Sequence, residues 1–223
     1  MWSLQPDLQI RSDRARESLR GRWRMEDKVV NVLLSGVGGQ GTILASDILC
    51  SVFHEAGYDV KKSEVHGMAQ RGGDVTTHFR FGKKVYSPLI KYGDVDYLVS
   101  FELLEGLRYI NWVKEKGKVL LNEQEVYPPA VNLGKMKYPG DAVQTFKKYF
   151  NGNVYPIKGL EIAIQCGDAR AVNVVALGAF SNFFDIQAET WEKNLLQHLP
   201  TKIHELNRKA FREGRKALEN LMK

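Results

Sequence analysis

Apolar and polar positions change period several times along the chain, and each change marks an element. Residues 29–35 form an almost unbroken apolar run that ends in glycines, the pattern of a strand covered on both faces. Ile43, Leu44, Ile48, Leu49, Val52 and Phe53 then recur at helical spacing, so the run predicts strand, tight turn and helix in direct succession. Gly57 stands where that helix should stop. Residues 58–65 alternate as a second strand. Residues 75–81 and 85–87 read as two more strands, joined as a hairpin through Gly82, Lys83 and Lys84. Further on, strands are predicted at 96–101, 118–122 and 154–157, with helices over 102–113 and 141–150 between them.

The last third changes character. Residues 169–181 are apolar nearly all round, which predicts a buried helix. A helix over 188–199 is stopped by Pro200. Residues 202–222 are highly charged, with Ile203, Leu206, Phe211, Leu218 and Leu221 on one side. Strands alternating with crossover helices predict an α/β fold: three layers, α/β/α, a mixed and mostly parallel sheet, and a helical C-terminal third. One domain over 25–223 accounts for all of it, with no internal repeat or linker.

Composition narrows the class. The 223 residues are 43% hydrophobic and 26% charged, ordinary for a soluble globular protein. No apolar run approaches the roughly 18 residues of a membrane span, and no n-region followed by an apolar h-region opens the sequence, so secretion is not expected. Cys50 and Cys166 are far apart, and Cys50 reads as a buried thiol on the first helix, which fits a reducing cytoplasm. Two thiols also fall short of the four that an iron–sulfur cluster takes. The net charge of +6 is unevenly placed: residues 1–24 hold six arginines against Asp7, Asp13 and Glu17, half of the excess. That segment reads as a disordered or non-native extension, with Met25 as an alternative start. A basic arm for nucleic acid is the sharper alternative, but no nucleic-acid fold signature accompanies it.

Two segments carry candidate chemistry. Gly36, Gly38 and Gly41, with Gly39 and Gln40 between them, satisfy G-x-G-x-x-G between a strand and a helix. Such a turn lets backbone approach a ligand, and the helix start aims free N–H groups and a positive dipole end at it. Three readings stay open: an anion or phosphate site, tight strand–helix packing, or a dinucleotide site with Asp59 or Glu64 as its ribose-binding acid. The second segment brings Glu64, His66, Gln70 and Arg71 together among Gly67, Gly72 and Gly73. Arg71 suits a carboxylate or phosphate, and His66 suits proton transfer near neutral pH or a structural pairing with Glu64. Met68 reads as a packing residue. Both segments follow strands of one sheet, at the carboxyl ends where open α/β sheets bind ligands. The remaining histidines, His54, His78, His198 and His204, lack metal-ligand spacing, so no metal site is expected.

These strings resemble the gamma domain of the 2-oxoacid:ferredoxin oxidoreductases, and within that family the beta subunits of the indolepyruvate type. The resemblance rests on Gly36-Val37-Gly38-Gly39-Gln40-Gly41 and on Ser63-Glu64-Val65-His66-Gly67-Met68-Ala69-Gln70-Arg71-Gly72-Gly73. Tyr86-Ser87-Pro88-Leu89-Ile90 and the run from Arg170 to Ala179 extend it, so that it spans 29–211. The resemblance implies oxidative decarboxylation of a 2-oxoacid on thiamine diphosphate, electron transfer through 4Fe–4S clusters to ferredoxin, and an acyl-coenzyme A product. It implies a larger alpha subunit that carries the thiamine and the clusters, and a cytoplasmic setting in anaerobic metabolism. Gly167-Asp168-Ala169 fails the thiamine signature, so the chain is expected to be inactive alone. Both glycine segments would then face the partner. Gly38 to Gly41 would meet a phosphate, while Arg71 and His66 order the substrate carboxylate or the interface. An autonomous phosphate-ligand or dinucleotide-binding protein is the alternative.

Overall fold

Strand β1 (Val30–Val37) turns Leu33 to one face of the sheet and Val32 and Leu34 to the other, and all three are fully buried. A strand packed on both sides explains its unbroken apolar sequence. The structure, a computed structural model, describes residues 28–67 and 73–222, with His66 described by its backbone alone. The extension read over 1–24, and with it the alternative start at Met25 and the basic arm, lies outside the described residues, as do Met68, Gln70, Arg71 and Gly72.

The other strands are β2 (Asp59–His66), β3 (Asp74–Gly82), β4 (Val95–Ser100), β5 (Val113–Asn122) and β6 (Val154–Ile157). They form a six-stranded sheet in the order β2-β3-β1-β4-β5-β6. β1, β4, β5 and β6 are mutually parallel, and β3 runs against both β1 and β2. The sheet is therefore mixed, as expected, but for a different reason. Residues 85–87 form no strand, because both edges of β3 are taken by β1 and β2. The antiparallel neighbours are β2 and β3 instead, and the second glycine segment lies between them in the chain. Residues 85–90 fold over the sheet face, with Arg80 Nη1 donating to the carbonyls of Ser87 and Leu89 at 2.7 and 3.0 Å. The Ile90 N–H donates to Nδ1 of buried His78 at 3.0 Å.

The helices are α1 (Thr42–Glu55), α2 (Leu103–Arg108), α3 (Pro129–Asn132), α4 (Ala142–Tyr149), α5 (Gly159–Cys166), α6 (Val172–Ser181), α7 (Ala188–Gln197) and α8 (His204–Leu221). α1 and α5 to α8 cover the Val32 and Leu34 face, and α2 and α4 cover the Leu33 face, which makes three layers. α2 ends earlier than its apolar pattern suggests. A 3-10 turn over Ile110–Trp112 follows, and β5 already begins at Val113. The short helix α5 has no counterpart in the sequence reading. Every residue of α6 is buried, as its all-round apolar pattern requires. It crosses α8 so closely that a Cβ on Gly178 would lie 2.0 Å from the Phe211 carbonyl oxygen, and one on Gly214 would lie 2.0 Å from that of Val175. Among the described residues, no helix is long and apolar enough to cross a membrane.

Candidate functional site

The last residues of β1 pair with the first of β3, Val37 opposite Asp74, so the glycine turn emerges beside the end of the β2–β3 pair. The Gly38 N–H donates to the Gly73 carbonyl at 2.8 Å. The Gly67 N–H donates to the Asp74 carbonyl across that pair, also at 2.8 Å. β1 and β2 point the same way, so both glycine segments stand on one rim of the sheet, side by side.

Gln40 gives the first turn its shape. Its Oε1 accepts from the Val37 N–H at 2.8 Å, while its Nε2 donates to the Phe101 carbonyl at 3.0 Å and to Gln124 Oε1 at 3.1 Å. The side chain lies beneath the turn, tied to the ends of β4 and β5. Gly41 follows with φ +80°, a left-handed conformation that disfavours side chains. Its would-be Cβ lies 2.4 Å from Asn173 Nδ2, the amide that α6 sends up to the Gly41 carbonyl at 3.3 Å.

The N-cap of α1 is therefore a glycine with no side chain to offer, and the first turn holds no acid. The N–H groups of Thr42, Ile43 and Leu44 have no intrahelical acceptor. The Thr42 hydroxyl is buried without a partner among the described residues. A cavity of about 470 Å3 opens over these amides, bounded by Gly38, Gly39, Ile43, Asp47 and Val75. Exposed Gly39, at φ +105°, forms its outer lip, and nothing lies within 4 Å of its would-be Cβ.

The charged side chains described beside this cavity are one lysine and two carboxylates, so they form no positive patch. Lys62 reaches from β2 to Asp47 of α1 and to Glu64, the latter at 2.6 Å. Burial disfavours the charge on Lys62, but its hydrogen bonds to the two carboxylates outweigh that and raise its pKa. Glu64 is thus engaged within the chain, and Asp59 is further still from the turns: it accepts from the Val85 N–H at 2.9 Å at the opposite rim. What the described part of the site offers an anion is backbone N–H. His66 sits at the end of β2 with its backbone beside Val75.

A buried polar network at the same rim was not read from the sequence. Ser35 and Ser100 hydroxyls meet at 3.0 Å, and Ser100 donates to the Glu102 carbonyl at 2.6 Å. Asn122 Nδ2 donates to the Phe101 carbonyl and to Gln124 Oε1. The Glu102 carboxylate, fully buried, accepts from the N–H groups of Glu105 and Val126 and from the Tyr138 hydroxyl. Burial, reinforced by that carboxylate, pushes the Tyr138 pKa far up. Its only sequence signal is that Ser35, Ser100 and Asn122 are polar residues at the carboxyl ends of apolar strands. The network locks the rim on which the glycine turn rests.

Known proteins resemble this chain in sequence and in fold. Residues 31–217 match the family described as pyruvate ferredoxin/flavodoxin oxidoreductase. The chain is 36% identical over 199 residues to the indolepyruvate oxidoreductase subunit IorB of Pyrococcus horikoshii, which covers 87% of this chain and 98% of that one. The gamma subunit of a keto/oxoacid ferredoxin oxidoreductase from Geobacter sulfurreducens has a similar structure. Its TM-score is 0.64 at 25% identity, over 86% of this chain and 99% of that chain. The fold also matches a 2-oxoglutarate:ferredoxin oxidoreductase from Magnetococcus marinus solved with 2-oxoglutarate, coenzyme A and succinyl-CoA bound. There the TM-score is 0.68 at 21% identity, over 87% of this chain but 32% of that longer one.

Proposed function

The chain belongs to the pyruvate ferredoxin/flavodoxin oxidoreductase family, as a subunit of a 2-oxoacid:ferredoxin oxidoreductase, and we propose that it is the small subunit of an enzyme for indolepyruvate or a related arylpyruvate. The indolepyruvate subunits, matched over nearly their whole length, support that substrate class. In this reading the chain docks on a larger alpha subunit that carries thiamine diphosphate and the iron–sulfur clusters, which pass electrons to ferredoxin, and the product is an acyl-coenzyme A. A single domain over 25–223 makes up the subunit, and it works in the cytoplasm.

One observation carries the proposal: the 2.8 Å hydrogen bond from Gly38 to Gly73 sets two side-chain-poor segments together over the open start of α1. Free N–H groups at a helix start suit a phosphate. The chain's donors fit that group and do not fit a cluster. Cys50 and Cys166 are its two thiols, they are unpaired on different helices, and burial raises the Cys50 pKa to about 11. The amides of Thr42, Ile43 and Leu44, with those of Gly39 and Gly41 beside them, would hold a phosphate of coenzyme A or of thiamine diphosphate, with Gln40 and Asn173 fixing the turn, while Arg71 and His66 would order the substrate carboxylate or the interface. Coenzyme A, when bound, supplies the thiol that accepts the acyl group. Exposed Tyr127, Leu133 and Met136, on the loop after β5 at this same rim, supply apolar surface for the partner.

An autonomous dinucleotide site is less well supported. Antiparallel β3 separates β2 from β1, so the second strand does not lie where a ribose-binding acid belongs, and Glu64 is engaged with Lys62. Arg71→Ala in the complex reconstituted with its larger subunit tests the proposal. The KM for coenzyme A or the apparent Kd for thiamine diphosphate is expected to rise about tenfold, the loss of one charge-assisted pair. Unchanged turnover with both affinities unchanged would contradict it.

A further inference from the structure

The other end of the sheet, where β1, β4 and β5 begin and β3 ends, holds a second cavity of about 480 Å3. Its walls are aromatic. Phe53 comes from α1, Tyr58 from the turn after it, Phe81 from β3, Tyr97 from β4, and Phe183 and Phe184 from the turn after α6. The rings touch around the cavity: Phe53 and Phe81 have centroids 4.0 Å apart, and Tyr97 and Phe184 are 5.3 Å apart. Phe53 and Phe81 are buried, but Tyr58, Tyr97, Phe183 and Phe184 are half-buried and present ring surface to the open space. Burial raises the pKa of both tyrosines, as expected of rings in an apolar wall.

The mouth carries an excess of positive charge. Lys116 and Lys118 both line it, and neither forms an ion pair among the described residues. Lys118 Nζ stands 4.9 Å above the Phe183 ring. The one carboxylate in the wall, Asp96, is engaged elsewhere: it accepts from Lys114 Nζ at 2.7 Å and from the Asn31 N–H at 2.9 Å. A bulge places these lysines. The pairing of β4 with β5 jumps from Val95 opposite Val113 to Tyr97 opposite Lys118, so three extra residues are looped out of β5. Gly117 sits in the crowded neck of the bulge, where a Cβ would come within 2.5 Å of Val113 Cγ1 and 3.0 Å of the Val95 carbonyl. The loop swings Lys116 to the mouth and returns Lys118 to the ladder beside Tyr97. Bulges commonly re-aim side chains next to binding sites.

We propose that this cavity binds an aromatic carboxylate. One ring or two fused rings pack on the open faces of Tyr58, Tyr97 and Phe184, and the carboxylate meets Lys116 and Lys118 at the mouth. The two ends of the site require both parts of such a ligand. A ring laid on these rings gains offset or edge-to-face contact in addition to the apolar area it buries. Two lysines without a carboxylate partner leave a neutral ring without its charge complement. A cavity of this size, mostly apolar with few convergent charges, falls in the range of small-molecule sites.

Titration of the full chain with 1-naphthaleneacetate, followed by the ligand's own fluorescence, tests the assignment. Saturable binding is expected, with the neutral 1-naphthaleneethanol at least tenfold weaker. Lys118→Gln is expected to weaken the acid about tenfold and leave the alcohol unchanged, whereas Phe184→Leu weakens both. Lys116→Gln, at an exposed position, repeats the charge test should Lys118→Gln fold poorly. Absence of saturable binding, equal binding of acid and alcohol, or an unchanged affinity for the acid in both lysine variants would overturn it.

Discussion

Gln40 does its work through partners that no local pattern reveals. Its amide joins Val37 three residues away, but also Phe101 and Gln124, 61 and 84 residues further along the chain. The glycines beside it were legible because a strand, four glycines and a helix are contiguous; the reason for the glutamine was not. Gln40→Ala would leave the Val37 N–H without its acceptor and take from the Phe101 carbonyl one of its two donors, the other being Asn122. A loss of about 1–3 kcal/mol is expected, read by chemical denaturation. His78 offers a pH test at the same scale. Burial, with Arg80 nearby, holds its pKa below the usual histidine value, and its Nδ1 must stay unprotonated to accept from Ile90. A depressed histidine contributes stability that is complete above the ordinary pKa of about 6.5 and is lost as the pH falls below it. His78→Asn keeps an acceptor near Nδ1 without the titration. Between pH 7.5 and 5.5 its stability is expected to fall less steeply than that of the unmodified chain, by up to about 1.4 kcal/mol per pH unit. Equal slopes in thermal melts would contradict that role.

Among elements, what could be read from the sequence depended on where each buried its side chains. α6 is apolar all round because the sheet packs on one side and α8 on the other, and that pattern is unambiguous without any knowledge of its neighbours. Residues 85–87 alternate like a strand yet pair with nothing, since the availability of a free sheet edge is a property of topology and not of local sequence. β5 was read five residues short for a related reason: the bulge at Gly117 interrupts an alternation that resumes at Lys118. The close approach of α6 to α8 rests on two glycines that the sequence shows only as ordinary helix residues. Gly178→Ala would drive a methyl group into the Phe211 carbonyl and push the helices apart. Overpacking of this kind costs about 1–3 kcal/mol, and a lowered denaturation midpoint with an unchanged slope is the expected readout.

Over the whole molecule, the two rims of the sheet are built differently. One carries backbone N–H groups over a polar network, and the other carries aromatic rings edged with lysines. The first was foreseeable as a place, because parallel strands deliver their carboxyl ends to one side. Its lining was not, since Asn173 and Ser100 reach it from distant parts of the chain. Ile43 provides the sharpest probe of this rim. It is the second residue of α1, 40% exposed and beside the cavity over the free amides. An aspartate there suits the helix dipole and should leave folding intact, yet it sets a negative charge where a phosphate would bind. In the enzyme reconstituted with its larger subunit, Ile43→Asp is expected to keep the melting temperature of the isolated chain while weakening coenzyme A or thiamine diphosphate about tenfold. Intact stability with both affinities unaltered would contradict an anion site at this turn.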